Sequence, residues 1–311
     1  YNRKCLQGLV KEANPMKYTN KHNIPDEVIR ALENDSYSKG DADISATGLL
    51  QPPQIRILNN EHEDEITTDV SDRIWILLGT SVHNILEKAN EGNPDVLTEQ
   101  RMYATVDGFK ISGQTDTISL KEKILKDFKV TSAWSVISAR KDGKPEWEQQ
   151  LNIYAWLYKQ NNDEDIKQLQ IIAICRDWNK NQMLRSGGDY PKSPVAVIPV
   201  NLWTEEEQLE FIQERIQLHK QSDLMFEFNG TIPPCTAQER WKKPDKYRIL
   251  RKGRKSALRL LPTMEDAKAY IENQDESNLS IEFAKGESLR CKNYCDVAPF
   301  CNQYKQEMRN D

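Results

Sequence analysis

The sequence predicts an α/β fold, a mixed central sheet flanked by helices, with a smaller C-terminal lobe. Three observations carry this. Between Gln100 and Thr131 three strand-like runs follow one another at hairpin spacing, and segments of helical periodicity lie on either side. The order helix, three-stranded meander, helix, strand makes an α/β sandwich rather than a doubly wound fold. Of the six cysteines, Cys291, Cys295 and Cys301 crowd the end of the chain, so the lobe there is expected to be cysteine-ligated to a metal rather than disulfide-bonded.

From Lys17 to about Asp64 the chain is polar, with a short helix expected at Pro25 to Glu33 and a turn at Gln51-Pro52-Pro53. Met16 would serve as a start, leaving Tyr1 to Pro15 as an extension. A long amphipathic helix follows, capped by Ser71 or Asp72, with Ile74, Leu78, Val82, Ile85, Leu86 and Ala89 at helical spacing. Gly79, His83 and Glu87 stand one turn apart on the stripe beside that apolar face. Gly79 is expected to let another backbone approach.

The meander comprises Gln100 to Val106, an Asp107-Gly108 turn typical of tight hairpins, Phe109 to Leu120, and Ile124 to Thr131. In the last run Asp127 and Lys129 share one face while Ile124, Phe128 and Val130 take the other. If Lys121-Glu122 forms a two-residue hairpin, Asp116 faces Asp127. Two opposed carboxylates with Cβ atoms roughly 5 Å apart repel each other. A bound divalent cation reverses that sign.

A helix at Pro145 to Lys159 comes next, then strands at Leu169 to Cys175 and Val195 to Val200. Thr204 caps a further helix, with Glu205 to Glu207 in the first turn where the helix dipole favours them. Pro233-Pro234 closes this module. The expected division is an N-terminal extension over 1–44, a core over 45–230 and a basic tail with a cysteine metal cluster over 231–311.

With 311 residues, 38% of them hydrophobic, the chain can bury one large core plus an appendage. It shows no membrane-spanning stretch and no leader pattern, so a soluble, cytoplasmic protein is expected. A net charge of -5 argues against indiscriminate polyanion binding and requires any nucleic-acid contact to be local. Such a cluster exists: Arg240, Lys242, Lys243, Lys246, Arg248, Arg251, Lys252, Arg254 and Lys255, with Trp241 and Tyr247 interleaved. It suits phosphate contacts and base stacking, or else forms a solvated face. No glycine-rich Walker loop or dinucleotide fingerprint is present.

Taken in order, Gly79-x3-His83-x3-Glu87, Gly113-Gln114-Thr115-Asp116, Asp127-Phe128-Lys129 and Gln150-x3-Tyr154 resemble the four motifs of the RecB-like branch of the PD-(D/E)XK nucleases. The match spans roughly Ser45 to Val200. With the cysteine tail it is most similar to the phage-encoded exonucleases of that branch. Asp127 stands where many relatives carry Glu, one methylene longer. The resemblance implies a restriction-endonuclease-like core in which Asp116 and Asp127 hold Mg2+ or Mn2+. It further implies a nitrogen ligand from His83, the carbonyl of Phe128 as an oxygen ligand, and Lys129 orienting or deprotonating water. Gln150 and Tyr154 would contact the DNA backbone or position Lys129. Glu87 either helps to bind a second cation or pairs with Lys88 or Arg101.

Cys291-x3-Cys295-x5-Cys301 supplies three soft ligands, and Cys235 is the expected fourth, with Cys5 its competitor. In some iron-sulfur nucleases of the superfamily the first cysteine precedes the nuclease motifs and the other three follow them, a topology that would recruit Cys5. Four thiolates suit a [4Fe-4S] cluster or Zn2+, and the resemblance favours the cluster. Cys175, in an apolar strand, reads as structural.

The combined expectation is a metal-dependent DNA exonuclease acting at DNA ends in phage or bacterial recombination or replication, in the bacterial host cytoplasm if phage-encoded. A single-strand annealing or recombination protein is an expected partner. The alternatives are a nuclease trimming integration substrates, similar to those of CRISPR adaptation, and a non-catalytic DNA-binding or assembly protein on the same fold.

Overall fold

The computed structural model of the chain describes residues 17–33, 40–274 and 278–309. Cys5 and Met16, with the readings attached to them, lie outside these. The described residues fall into two compact units, one within Tyr1–Gln51 and Thr67–Gly230, the other within Pro52–Ile66 and Thr231–Asp311. Among the described residues no helix is long and apolar enough to cross a membrane.

In chain order, β1 (Lys17–Thr19), α1 (Asp26–Glu33), β2 (Ile44–Ser45) and α2 (Ala46–Leu50) open the first unit, whereas α3 (Pro53–Glu61) belongs to the second. β3 (Thr67–Asp69), α4 (Val70–Ala89), β4 (Val96–Val106), β5 (Phe109–Ser119) and β6 (Ile124–Thr131) follow. Then come α5 (Ala133–Asp142), α6 (Pro145–Asn162), β7 (Gln168–Cys175), α7 (Lys180–Arg185), β8 (Val195–Val200) and α8 (Glu205–Asn229). The residues read as an N-terminal extension take part in this unit. β1 pairs with β3, and Leu32, Ala42 and Ile44 are buried.

Strand order in the main sheet is β2-β5-β6-β7-β8, with β4 along the other edge of β5. The sheet is mixed: β2 pairs with β5 and β6 with β7 in parallel, the latter two joined through α5 and α6, while β4–β5, β5–β6 and β7–β8 are antiparallel. Asp107 and Gly108 both take positive φ, 50° and 78°, and make the expected two-residue turn, with Val106 opposite Phe109.

Between β5 and β6 the expected register holds, but the connection is four residues long, Leu120 to Lys123, with Lys123 in the left-handed region. Three pairs form: Ser119 with Ile124, Ile118 with Leu125, and Thr117 with Lys126. There the strands part. β2 occupies the same edge of β5 further down, at Ile111 and Ser112. Gly113 to Asp116 therefore line a fork between β2 and β6.

α6 closes the fork from one side. Leu151, Ile153 and Leu157 are at most 1% exposed, and the buried set from Leu151 to Tyr158 is continuous, as expected for a helix enclosed on all sides. Gly113 makes the packing possible, since a Cβ there would stand 2.7 Å from Leu157 and 2.8 Å from Tyr154. Buried Asn152 ties α6 to the chain beyond β8. Its amide donates to Asn201 O at 2.9 Å, and its Oδ1 accepts from Trp203 N at 2.9 Å and from Gln208 Nε2 at 3.2 Å.

α4 departs from the expected pattern in two ways. Its cap is Asp69, not Ser71 or Asp72, because the Asp69 carboxylate accepts from Ser71 N and is the residue with extended backbone. Its apolar residues are largely uncovered. Only Val70 is buried, while Trp75, Ile76, Leu78 and Ile85 are exposed.

The second unit adds β9 (Lys246–Arg251), β10 (Arg259–Leu261), α9 (Met264–Glu272), β11 (Leu279–Ala284), α10 (Leu289–Asn293) and α11 (Asn302–Arg309). A three-stranded antiparallel sheet, β10-β9-β11, packs on α9 through fully buried Ile249 and Ala267. A separate core gathers Leu58, Ile66, Val297 and Cys301 with Ile55, Cys295, Phe300 and Tyr304. That core explains why residues 52–66 join this unit rather than the one they interrupt in sequence.

Candidate active site and cysteine centre

The fork opens into a cleft of about 700 Å³ lined by His83 and Glu87 of α4, Glu99 and Arg101 of β4, Asp116 of β5, Asp127 and Lys129 of β6, and Gln150 and Tyr154 of α6. Four ordered motifs thus meet in one place. The strands' separation gives Asp116 a task the ladder would otherwise perform: its Oδ2 accepts from Phe128 N at 2.6 Å. Asp116 and Asp127 do not stand as a paired rung. The carboxylate of Asp116 has replaced the backbone acceptor at that position.

Its opposite oxygen, Oδ1, lies 3.3 Å from His83 Nδ1. On the β4 side, Thr98 pairs with Thr117 and Gln100 with Thr115, which leaves Glu99 across from Asp116 with a left-handed φ of 48°. His83, Glu99 and Asp116 each offer one ligand atom, and these lie within 4.8 Å of one another. Among the described residues this is the group close enough to share a cation, and it adds Glu99 to the expected ligands. Asp127 and Glu87 line the same cleft, and the N–H of Phe128 donates to Asp116.

Asp127 is 2% exposed, and its Oδ2 lies 2.8 Å from Lys129 Nζ without a hydrogen bond aimed at it. Burial pushes its carboxyl up to about 6, against the pull of Lys129, and the nearby charge of Asp116 adds to the rise. For Lys129 burial lowers the pKa, but the charges of Asp127 and Asp116 outweigh it and hold it above the ordinary value.

Lys129 Nζ also donates to Gln150 Oε1 at 3.1 Å, and Gln150 Nε2 donates to the Tyr154 hydroxyl at 2.9 Å. Gln150 thus links Lys129 to Tyr154 through its two amide atoms. Gln114 is fixed between Arg101 and Glu99, donating to Glu99 Oε2 at 2.7 Å. Arg101 is thus engaged by Gln114, not by Glu87. Gly79 has no atom within 4 Å of where a Cβ would stand, so it widens the cleft and does not admit a neighbouring backbone as expected.

The donor set fits a cation. Hydrogen bonding to Asp116 raises the pKa of His83, with burial opposing it, and burial followed by the charge of Asp116 raises that of Glu99. Two carboxylates and an imidazole held this close repel or compete for protons unless a positive ion compensates them. His219, by contrast, is a satisfied core histidine, fully buried with Nε2 3.1 Å from Leu49 O.

In the second unit Cys235, Cys291, Cys295 and Cys301 line one small cavity with Arg240 and Arg290. Burial pushes the thiol of Cys235 up to about 12 and that of Cys291 up to about 11, and charges on neighbouring thiolates add to both. Burial also raises Cys295. Thiols in this state are poor nucleophiles. No three of their Sγ atoms lie within 4.8 Å of one another, so the thiols share the cavity as candidate soft ligands that would have to draw closer to hold a metal. Gln54 and Gln303 fix the Cys235 backbone, each accepting from its N, at 3.3 and 2.9 Å.

The basic segment divides into two clusters. Arg240 is turned inward, donating to Glu307 Oε2 at 2.6 Å and Ser288 Oγ at 3.0 Å, so it braces the cysteine lobe and does not offer itself to a ligand. Trp241 stays 44% exposed beside Tyr294 and Arg290. Lys242 is half-buried and Lys243 exposed. Roughly 20 Å away along β9, Lys252, Arg254 and Lys255 are exposed at the turn, with Arg251 half-buried at its base.

No protein-family model matches the chain, and no curated protein matches it. Among solved structures it is similar to the crystal structure of SSO0001, at 22% identity and a TM-score of 0.42, over 61% of this chain and 84% of that one. It is also similar to a phage-related exonuclease from Haemophilus somnus 129PT, at 16% identity and a TM-score of 0.32, over 50% of this chain and 74% of that one. Likenesses of this degree leave the chemistry to be read from the chain's own residues.

Proposed function

We propose that the chain is a divalent-metal-dependent DNA nuclease acting at DNA ends. The observation that carries this reading is the convergence of His83, Glu99 and Asp116 in a cleft that also holds the buried Asp127–Lys129 pair. The ordered likeness of four sequence motifs to the RecB-like nucleases supports it.

His83, Glu99 and Asp116 would hold Mg2+ or Mn2+, which supplies positive charge to the phosphate and lowers the pKa of a bound water. Asp127 holds Lys129 in the cleft, and Gln150 orients it. Lys129, held in the cleft as a cation, would offset the negative charge that develops on the phosphate. Tyr154 fixes Gln150 from behind. In the second unit, Cys235, Cys291, Cys295 and Cys301 would hold a [4Fe-4S] cluster, with Zn2+ as the alternative, in a structural role.

End-labelled single- and double-stranded DNA incubated with Mg2+, Mn2+ or EDTA tests the reading. The wild type should cleave only with metal, and Asp127→Ala and Glu99→Gln should each lose about 100-fold or more in rate, the size of losing one preorganised charge-stabilising group. Cleavage at equal rates by wild type and Asp127→Ala would remove the active-site assignment. No cleavage by the wild type would favour a DNA-binding protein on this fold.

A further inference from the structure

The stripe of α4 that carries Gly79, His83 and Glu87 begins one turn earlier, at Trp75. Trp75 is 55% exposed, an unusual position for the largest apolar side chain. The guanidinium of Arg176 lies 4.5 Å from its ring centroid and covers one face of the indole. Arg176 directly follows β7, and its N–H donates to Thr131 O at 2.9 Å, at the end of β6. The stacked pair is thus fixed to the helix that carries His83 and to the strand that carries Asp127 and Lys129.

His83 lies eight positions along the helix from Trp75, about 12 Å along the axis, a span of three or four stacked nucleotides. A second exposed indole, Trp134, lies just beyond the same end of β6, where Ala133 N donates to Asp177 Oδ1 at 2.7 Å.

We infer that Trp75, backed by Arg176, is a stacking platform for an unpaired nucleobase of a single-stranded nucleic acid whose backbone enters the cleft. This rests on the nuclease reading and names its substrate class. A base inside a duplex has both faces covered by its neighbours and gains nothing from an indole. An unpaired base gains a π-face that is sequence-tolerant, and the arginine keeps the ring from folding back into the sheet while adding positive charge beside an acidic cleft.

Anisotropy with a fluorescein-labelled, phosphorothioate-linked oligothymidylate in Mg2+, against a blunt duplex of the same linkage, tests the platform without requiring turnover. Trp75→Ala should weaken single-strand binding by about 5- to 150-fold. Trp75→Phe should restore most of it, and duplex binding should change less than twofold. Unchanged single-strand binding in Trp75→Ala overturns the platform. So does an equal loss on both probes, which would make the pair a clamp holding α4, and so does a wild type that binds no single strand. A wild type that binds the single strand with the expected dependence on Trp75, yet cleaves no unmodified DNA, would overturn the nuclease reading and leave the platform standing.

Discussion

Gly113 and Glu99 show how single positions shape the cleft. A methyl group on Gly113 would meet Leu157 and Tyr154 at 2.7 to 2.9 Å, and both belong to a helix with no free side to move into. Tyr154 would shift, and with it Gln150 and Lys129. Gly113→Ala should therefore cost about 1–3 kcal/mol in overpacking and lower cleavage by on the order of 100-fold through misplacement of Lys129. Gly79→Ala, with open space around it, should melt no lower than the wild type. Thermal melts and initial rates of the two variants check this, and a Gly113→Ala protein indistinguishable from wild type would refute the packing argument. Both glycines stood out in the sequence, but a glycine in a chain does not reveal which side is crowded. Glu99 was missed altogether, although a signal existed. The Asp107-Gly108 turn sets the β4–β5 register, and extending that register places Glu99 opposite Asp116. Asp116, Asp127 and Lys129 line the cleft where hairpin register and strand parity pointed, whereas Gln150 and Tyr154, which line it too, were marked by the motif resemblance.

Among the elements, α4 carries His83 yet buries only Val70 of its twenty residues, so its N-terminal anchor matters. Asp69 accepts from Ser71 N and Oγ at 3.1 and 2.7 Å, from Thr19 Oγ1 at 2.8 Å and from Lys21 N at 3.0 Å, joining the helix to β1. The hydrogen bond from the Ser71 hydroxyl, then those from Lys21 and Thr19, hold its carboxyl far below the usual range. A depressed folded pKa contributes stability that is present above the unfolded value, near 4, and lost as pH falls through the folded value. Asp69→Ala should therefore have a lower urea midpoint than wild type at pH 7 and pH 5. The gap should narrow once the pH drops below about 4. A gap that stays constant down to pH 2.5 would mean the carboxylate's charge is not what anchors the helix. The sequence pointed to Ser71 or Asp72 because capping residues cluster there. The choice of Asp69 depends on the contact with β1, which lies about fifty positions earlier and leaves no local trace. The uncovered indole of Trp75 has the same origin, since periodicity marks an apolar stripe but not whether anything packs on it.

For the whole molecule, two separate cores mean two separate dependences. The first unit buries Leu151, Leu157, Ile171 and their neighbours without any thiol except Cys175 at the end of β7. Among the described residues the core beside the cysteine cavity gathers four buried members, Leu58, Ile66, Val297 and Cys301, and β9 and α9 add Ile249 and Ala267, so the lobe is thinly buried and a staple would add stability. The units divide at Gly230, close to Pro233-Pro234, and the cysteines expected from their spacing line one cavity. The transfer of α3 to the second unit was not legible, because it follows from Leu58 meeting Val297 and Cys301, contacts more than two hundred residues apart in the chain. If a bound metal supplies the missing stability, its binding free energy is folding free energy for that lobe. Anaerobically purified wild type should then contain iron and sulfide, or zinc, in a fixed ratio to protein, and its melt should resolve a transition that a chelator or Cys235→Ala lowers while the other stays in place. Full metal content in Cys235→Ala, with both transitions unmoved, would show that Cys235 is not the fourth ligand and that the lobe holds together without its thiolate.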